Sequence, residues 1–145
     1  MFKIISSLVA LSLAIPCGAP PGVVERAFAP VGTYEGHWGI DFAMGAGSDV
    51  MVVADGVVSF AGRVAGMNTV TVDHGGGFRT SYSYLETVRV RSGERVHPGD
   101  VLGTSGVDHG TAALHFSTRV NGSYVDPGFV FSCVSGILRL SPLDP

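Results

Sequence analysis

Apolar positions recur along this chain in short β-branched runs broken by glycine turns. No stretch after residue 20 sustains a 3.6-residue apolar period. Residues 50–54 and 57–61 flank Asp55-Gly56, which predicts a hairpin. Residues 69–73 alternate Thr, Val, Thr, Val, Asp and read as a half-buried strand. The turn His74-Gly-Gly-Gly77 leads to a second alternating run at 78–84. Residues 88–91 and 95–96 surround Ser92-Gly93-Glu94, a second hairpin signal, and runs at 101–104 and 114–120 complete the set. About eight short antiparallel strands predict an all-β fold, a small sandwich or partly closed barrel. Asn121-Gly122-Ser123 matches a glycosylation sequon but reads as a turn.

The start of the chain has a different pattern. Met1-Phe-Lys3 precedes twelve residues, 4–15, whose only polar members are serines, and Pro16 ends the run. That is the layout of a secretory signal peptide, and it is too short for a membrane span of about 20 residues. Ser12 and Ala14 suit cleavage after residue 14. Cys17 also invites lipidation, but Ile15-Pro16 is a poor context for it. The organisation expected is a signal peptide over 1–14, an N-terminal arm over 15–35, one domain over 36–131 and a tail over 132–145. Export places the two cysteines in an oxidising compartment, so a Cys17–Cys133 disulfide is expected.

Composition narrows the function classes. Of 145 residues, 21 are glycine and 14% are charged, which fits many turns and few solvated faces. Net charge is -3 with no basic run, which argues against nucleic acid as a partner. The only lysine is Lys3. A lipoyl or biotinyl arm is therefore excluded, although Val96-x-x-Gly-Asp-Val-Leu resembles that kind of hairpin. A phosphohistidine sugar-transport module, of similar geometry, conflicts with export.

Five histidines remain to be placed: His37, His74, His97, His109 and His115. A lone histidine is most often structural or solvated. His37 sits in Gly36-His37-Trp38-Gly39-Ile40-Asp41, which puts a carboxylate four residues from an accessible imidazole. Imidazole and carboxylate together suit zinc. In Ala113-Leu114-His115-Phe116-Ser117, alternation puts His115 on one face with Ala113 and Ser117, while Leu114 and Phe116 turn to the core. His37, Asp41 and His115 would give three ligands with a position open for water, the pattern of catalytic zinc. His74 and His97 lie in turns and read as surface residues.

Residues 36–127 resemble the LytM/lysostaphin-type zinc endopeptidases, which cut peptide bonds in bacterial peptidoglycan. The resemblance is carried by Gly36-His-Trp-Gly-Ile-Asp-Phe-Ala43, Gly47-Ser-Asp-Val50, Ala54-Asp-Gly-Val-Val58, Val72-Asp-His-Gly-Gly-Gly-Phe-Arg-Thr80, Tyr82-Ser-Tyr-Leu85, Val96-His-Pro-Gly-Asp-Val-Leu-Gly103, Leu114-His-Phe116 and Tyr124-Val-Asp-Pro127. It implies zinc held by His37, Asp41 and His115. Two positions depart from the family. Its Tyr-x-His-Leu stands here as Tyr82-Ser-Tyr84-Leu85, and its His-Leu-His as Ala113-Leu114-His115. The two missing histidines are those that, in the family, orient or deprotonate the attacking water and steady the oxyanion. Ala113 can do neither. Tyr84 can donate a hydrogen bond, but a phenol pKa near 10 makes it a poor base. His109, in what reads as a mobile loop over 106–110, is the candidate to compensate; Glu35 and Glu86 are weaker ones. Two readings follow from the resemblance: a secreted zinc metalloendopeptidase assisted by Tyr84 or His109, or a degenerate member that binds peptidoglycan peptides or regulates another cell-wall hydrolase.

Overall fold

The computed structural model describes residues 20–132. Expectations for the leader, its cleavage, lipidation at Cys17, the Cys17–Cys133 bridge and the tail beyond residue 132 lie outside the described residues. Twelve strands and one short helix follow in order: β1 (Val23–Arg26), β2 (Ala29–Val31), β3 (Glu35–His37), β4 (Ile40–Ala43), β5 (Asp49–Met51), β6 (Gly56–Val64), β7 (Met67–Asp73), β8 (Phe78–Val88), β9 (Arg95–Val96), β10 (Val101–Asp108), β11 (Thr111–Val120), β12 (Ser123–Val125) and α1 (Gly128–Phe131). Ten strands form one antiparallel sheet along the path β1-β4-β11-β10-β8-β7-β6-β9, with β12 on β11, β5 on β10 and a further β11–β8 pairing. Strands β2 and β3 form a separate two-stranded ribbon. The all-β, antiparallel expectation holds, without a closed barrel and with more strands than the apolar runs suggest. No helix among the described residues is long and apolar enough to cross a membrane.

The core forms where alternation sends branched and aromatic side chains inward from β4, β7, β8 and β11. Phe42, Val70, Val72, Tyr82, Leu114 and Phe116 are at most 1% exposed. Phe131 of α1 packs its ring 5.3 Å from both Phe42 and Phe116, covering that core from one end. The opposite face of β7, β8 and β11 carries Thr69, Thr71, Ser81, Ser83, His115 and Ser117, so one side of the sheet is oily and the other hydroxyl-rich.

Both predicted hairpins are corrected by the pairing. Asp55-Gly56 does not join paired strands: β5 pairs with β10, and β6 pairs with β7 and β9. Gly56 is there for space, since a Cβ would come within 2.6 Å of the Asp73 carbonyl on β7. The tight turn lies at Ala65-Gly66, with φ of 49° and 83°. Alanine rarely adopts that conformation, so the sequence gives no warning of it. The Ser92-Gly93-Glu94 turn is likewise closed by Glu94, yet Arg95 and Val96 pair back onto β6.

Candidate metal centre

Three donor atoms converge where β3, β4 and β11 meet. His115 on β11 lies directly across from Asp41 on β4. Asp41 Oδ1 is 2.6 Å from His115 Nδ1 and 3.0 Å from His37 Nε2, and the two ring nitrogens are 3.3 Å apart. His37 and Asp41 are buried, and His115 is partly exposed. The residues singled out from sequence are therefore brought together in space.

The protonation pattern suits a cation. His37 Nδ1 lies 2.8 Å from the Ala27 carbonyl oxygen. A carbonyl only accepts, so Nδ1 carries the hydrogen and Nε2 presents its lone pair. That lone pair faces a carboxylate oxygen and a second imidazole nitrogen. Three electron-rich atoms in buried contact require a proton or a metal between them. Two imidazoles and one carboxylate make the donor set of a catalytic zinc site. Gly39 provides the room: a Cβ there would lie 2.6 Å from the Phe116 carbonyl and 2.7 Å from the His115 ring.

Tyr84 and His109 stand beside this centre. The Tyr84 ring meets the His115 ring edge-on at 6.3 Å. Its hydroxyl is 3.5 Å from His109 Nε2, which in turn is 3.2 Å from Asp108 Oδ1. Burial first, and then the Asp108 and Asp41 carboxylates, raise the Tyr84 phenol above its ordinary value, so it stays a neutral donor. The expected mobile loop over 106–110 is corrected. Residues up to Asp108 belong to β10, and only His109-Gly110 forms the turn, with φ of 47° and 84°. A two-residue turn of this kind matches strand twist and fixes His109 on the hairpin. Tyr84 and His109 are both non-glycine residues at positive φ, a strain that clusters at functional sites. Ala113 is 2% exposed, so the position of the missing imidazole is filled by packing.

The remaining candidates lie elsewhere. His74 is not a plain surface residue: its nitrogens bond the Asp55 carbonyl and the Thr80 hydroxyl, both at 2.8 Å, and burial lowers its pKa. His97 is exposed beside Asp100. Glu35 and Glu86 are exposed and make no hydrogen bond to the three ligands. Sequence reading missed Arg26, whose charge bears on Tyr84 from β1, and the stack of Phe28, Trp38, Tyr124 and Arg119 along the site. Alternation from His115 to Arg119 was the available signal for the last of these.

Comparison with known proteins finds a family and a shared fold. The model for Peptidase family M23 matches residues 35–127. The DD-carboxypeptidase/endopeptidase Mpg of Neisseria meningitidis is 35% identical over 118 residues, 74% of this chain and 27% of that protein. This chain thus spans about a quarter of that relative's length. The catalytic domain of the antimicrobial peptidase lysostaphin from Staphylococcus simulans superposes with a TM-score of 0.63 at 29% identity, over 77% of this chain and 91% of that one. A zinc-containing peptidase from Vibrio cholerae shares the fold with a TM-score of 0.67 at 24% identity, over 78% and 37% of the two chains.

Proposed function

The chain belongs to peptidase family M23, the LytM/lysostaphin family, and from that membership we propose that it is an exported zinc metalloendopeptidase hydrolysing stem or bridge peptide bonds of bacterial peptidoglycan. The observation that carries this reading is the convergence of His37 Nε2, Asp41 Oδ1 and His115 Nδ1. Those three residues would hold the metal. Zinc supplies Lewis acidity, lowering the pKa of a water and polarising the scissile carbonyl. Ala27 fixes the His37 tautomer through its carbonyl. Tyr84 donates its hydroxyl hydrogen to the oxygen that gains charge as water adds to the carbonyl carbon. His109 takes the water proton and returns it to the departing amine as the carbon–nitrogen bond breaks. Action outside the cytoplasm accords with the leader-like start of the chain and with relatives such as the glycyl-glycine endopeptidase of Staphylococcus capitis.

Ala113 favours a second reading. With no imidazole at that position, a non-catalytic member would bind peptidoglycan peptides through the same face, or regulate another cell-wall hydrolase. Two measurements on the zinc-loaded protein separate the readings. Zinc content by mass spectrometry should be near one per chain and near zero in His37→Ala and His115→Ala; unchanged zinc in both refutes the metal centre. Peptide release from purified peptidoglycan should exceed that of Asp41→Ala. Equal release removes the peptidase and leaves the binder.

A further inference from the structure

We propose that Arg119 forms a subsite for a carboxylate of the bound peptide, four residues along β11 from the metal ligand His115. The inference rests on reading this face as a peptide-binding surface. Alternation puts Arg119 on the same side of β11 as His115 and Ser117. At about 3.4 Å per residue, the two lie roughly 14 Å apart along the strand. Between them, β11 and β8 present only Ser117 opposite Ser81 on that face, two small side chains that are themselves largely covered.

Charge at the far end of this face is unbalanced. Arg119 lies directly opposite Arg79 on β8. Like charges directly across a sheet repel, which disfavours the pair unless anions offset both. Asp73 pairs with Arg79 at 3.1 Å. Arg119 has no carboxylate partner among the described residues, and its Nε is buried without a hydrogen-bond acceptor. Of the two arginines, Asp73 thus serves Arg79 alone, and the Arg119 charge is offset by no carboxylate of the described residues.

Arg119 is also held in place. Its guanidinium lies 4.6 Å over the Tyr124 ring and donates from Nη2 to the Tyr124 hydroxyl at 2.6 Å. Tyr124 packs at 5.8 Å against Trp38, the residue next to the ligand His37. A guanidinium fixed by stacking loses little freedom when it binds a planar carboxylate. The ligand class is thus an acidic peptide whose carboxylate sits a few residues from the bond at the metal, and the Trp38–Tyr124 stack ties the two places together.

The test compares two forms of one probe. Soluble stem peptides released from peptidoglycan are used with their free carboxylates, or after conversion to carboxamides with ammonium and a carbodiimide. Binding to the zinc-loaded chain is measured by calorimetry at low temperature, with peptide integrity checked by chromatography. Wild type should prefer the carboxylate form by about tenfold or more, the range of a charge-assisted hydrogen bond. Arg119→Gln should bring the ratio to about one, while Arg119→Lys retains part of it and confirms that the site folds. Equal affinity for the two forms in wild type, or an unchanged ratio in Arg119→Gln, overturns the subsite. A wild type that holds zinc and releases peptides yet does not discriminate removes the subsite alone. One that holds no zinc and binds neither form removes the proposed function with it.

Discussion

Gly39→Ala perturbs the metal centre without replacing a ligand. The new Cβ would stand 2.6 Å from the Phe116 carbonyl oxygen and 2.7 Å from Cε1 and Nε2 of His115. Carbon contacts settle near 3.5 Å, so about 0.8 Å must be found on the His115 side. The Phe116 carbonyl cannot give way, because β11 is paired on both sides, to β4 and to β8. The imidazole must swing instead. Metal–ligand distances tolerate only about 0.2 Å, so Nδ1 leaves the reach of a cation held by His37 and Asp41. Overpacking of this kind costs about 1–3 kcal/mol in stability. Zinc affinity should fall by about 10- to 100-fold or more, the range seen when a ligand's support is removed. Competition against a chromophoric chelator gives the affinity, and thermal melting with and without zinc gives the stability. Wild-type affinity and an unchanged zinc-induced rise in Tm in Gly39→Ala would refute the steric account.

Other expectations are simpler. Tyr84→Phe should keep zinc content unchanged while lowering peptide release by about 100- to 1000-fold, the usual loss when an oxyanion donor is removed. Tyr82→Phe should destabilise by about 1 kcal/mol in urea melts, because the hydroxyl accepts the Val53 N–H at 3.1 Å and its loss leaves that part-buried donor unpaired. The same burial pushes the Tyr82 phenol up to about 12, so the residue stays neutral at any ordinary pH. His74 has its pKa lowered from 6.5 by burial, so the unfolded chain takes up the proton first as pH falls. Its contribution to stability is complete above that value and is lost as pH drops below it; in chelator, His74→Gln should show a flatter dependence of Tm between about pH 7.5 and 5. Mass spectrometry with and without reduction checks the Cys17–Cys133 bridge, and a free thiol at either position refutes it.

The alternation that makes Leu114 and Phe116 core also aims His115, so the metal centre is written into a period of two. The four-residue step from His37 to Asp41 did the rest. What sequence could not display were features that depend on neighbours distant along the chain. Gly39 reads as a flexible residue beside a ligand, yet its role is to leave room for the ring of His115. The tight turns at Ala65 and His109 use non-glycine residues at positive φ, against local propensity, because the strands on either side impose the geometry. Asp55-Gly56 carries the local signal for a turn, but β5 finds more pairing on β10 than on its neighbour. Strand β1 lies in the N-terminal arm, where no strand was expected, because it is an exposed edge strand with no buried face to impose a pattern.

That arm has a consequence for the metal. The carbonyl that sets the tautomer of His37 belongs to Ala27, and β1 lies against the strand that bears Asp41. Both precede residue 35, where the family match begins. A chain trimmed to that match would retain every ligand and lose the group that points one of them. For a metal held as proposed, docking of the arm and capture of the ion would be linked equilibria, each favouring the other by the same factor. Metal content would then gauge whether the arm is seated, and anything that peels the arm away would release the ion.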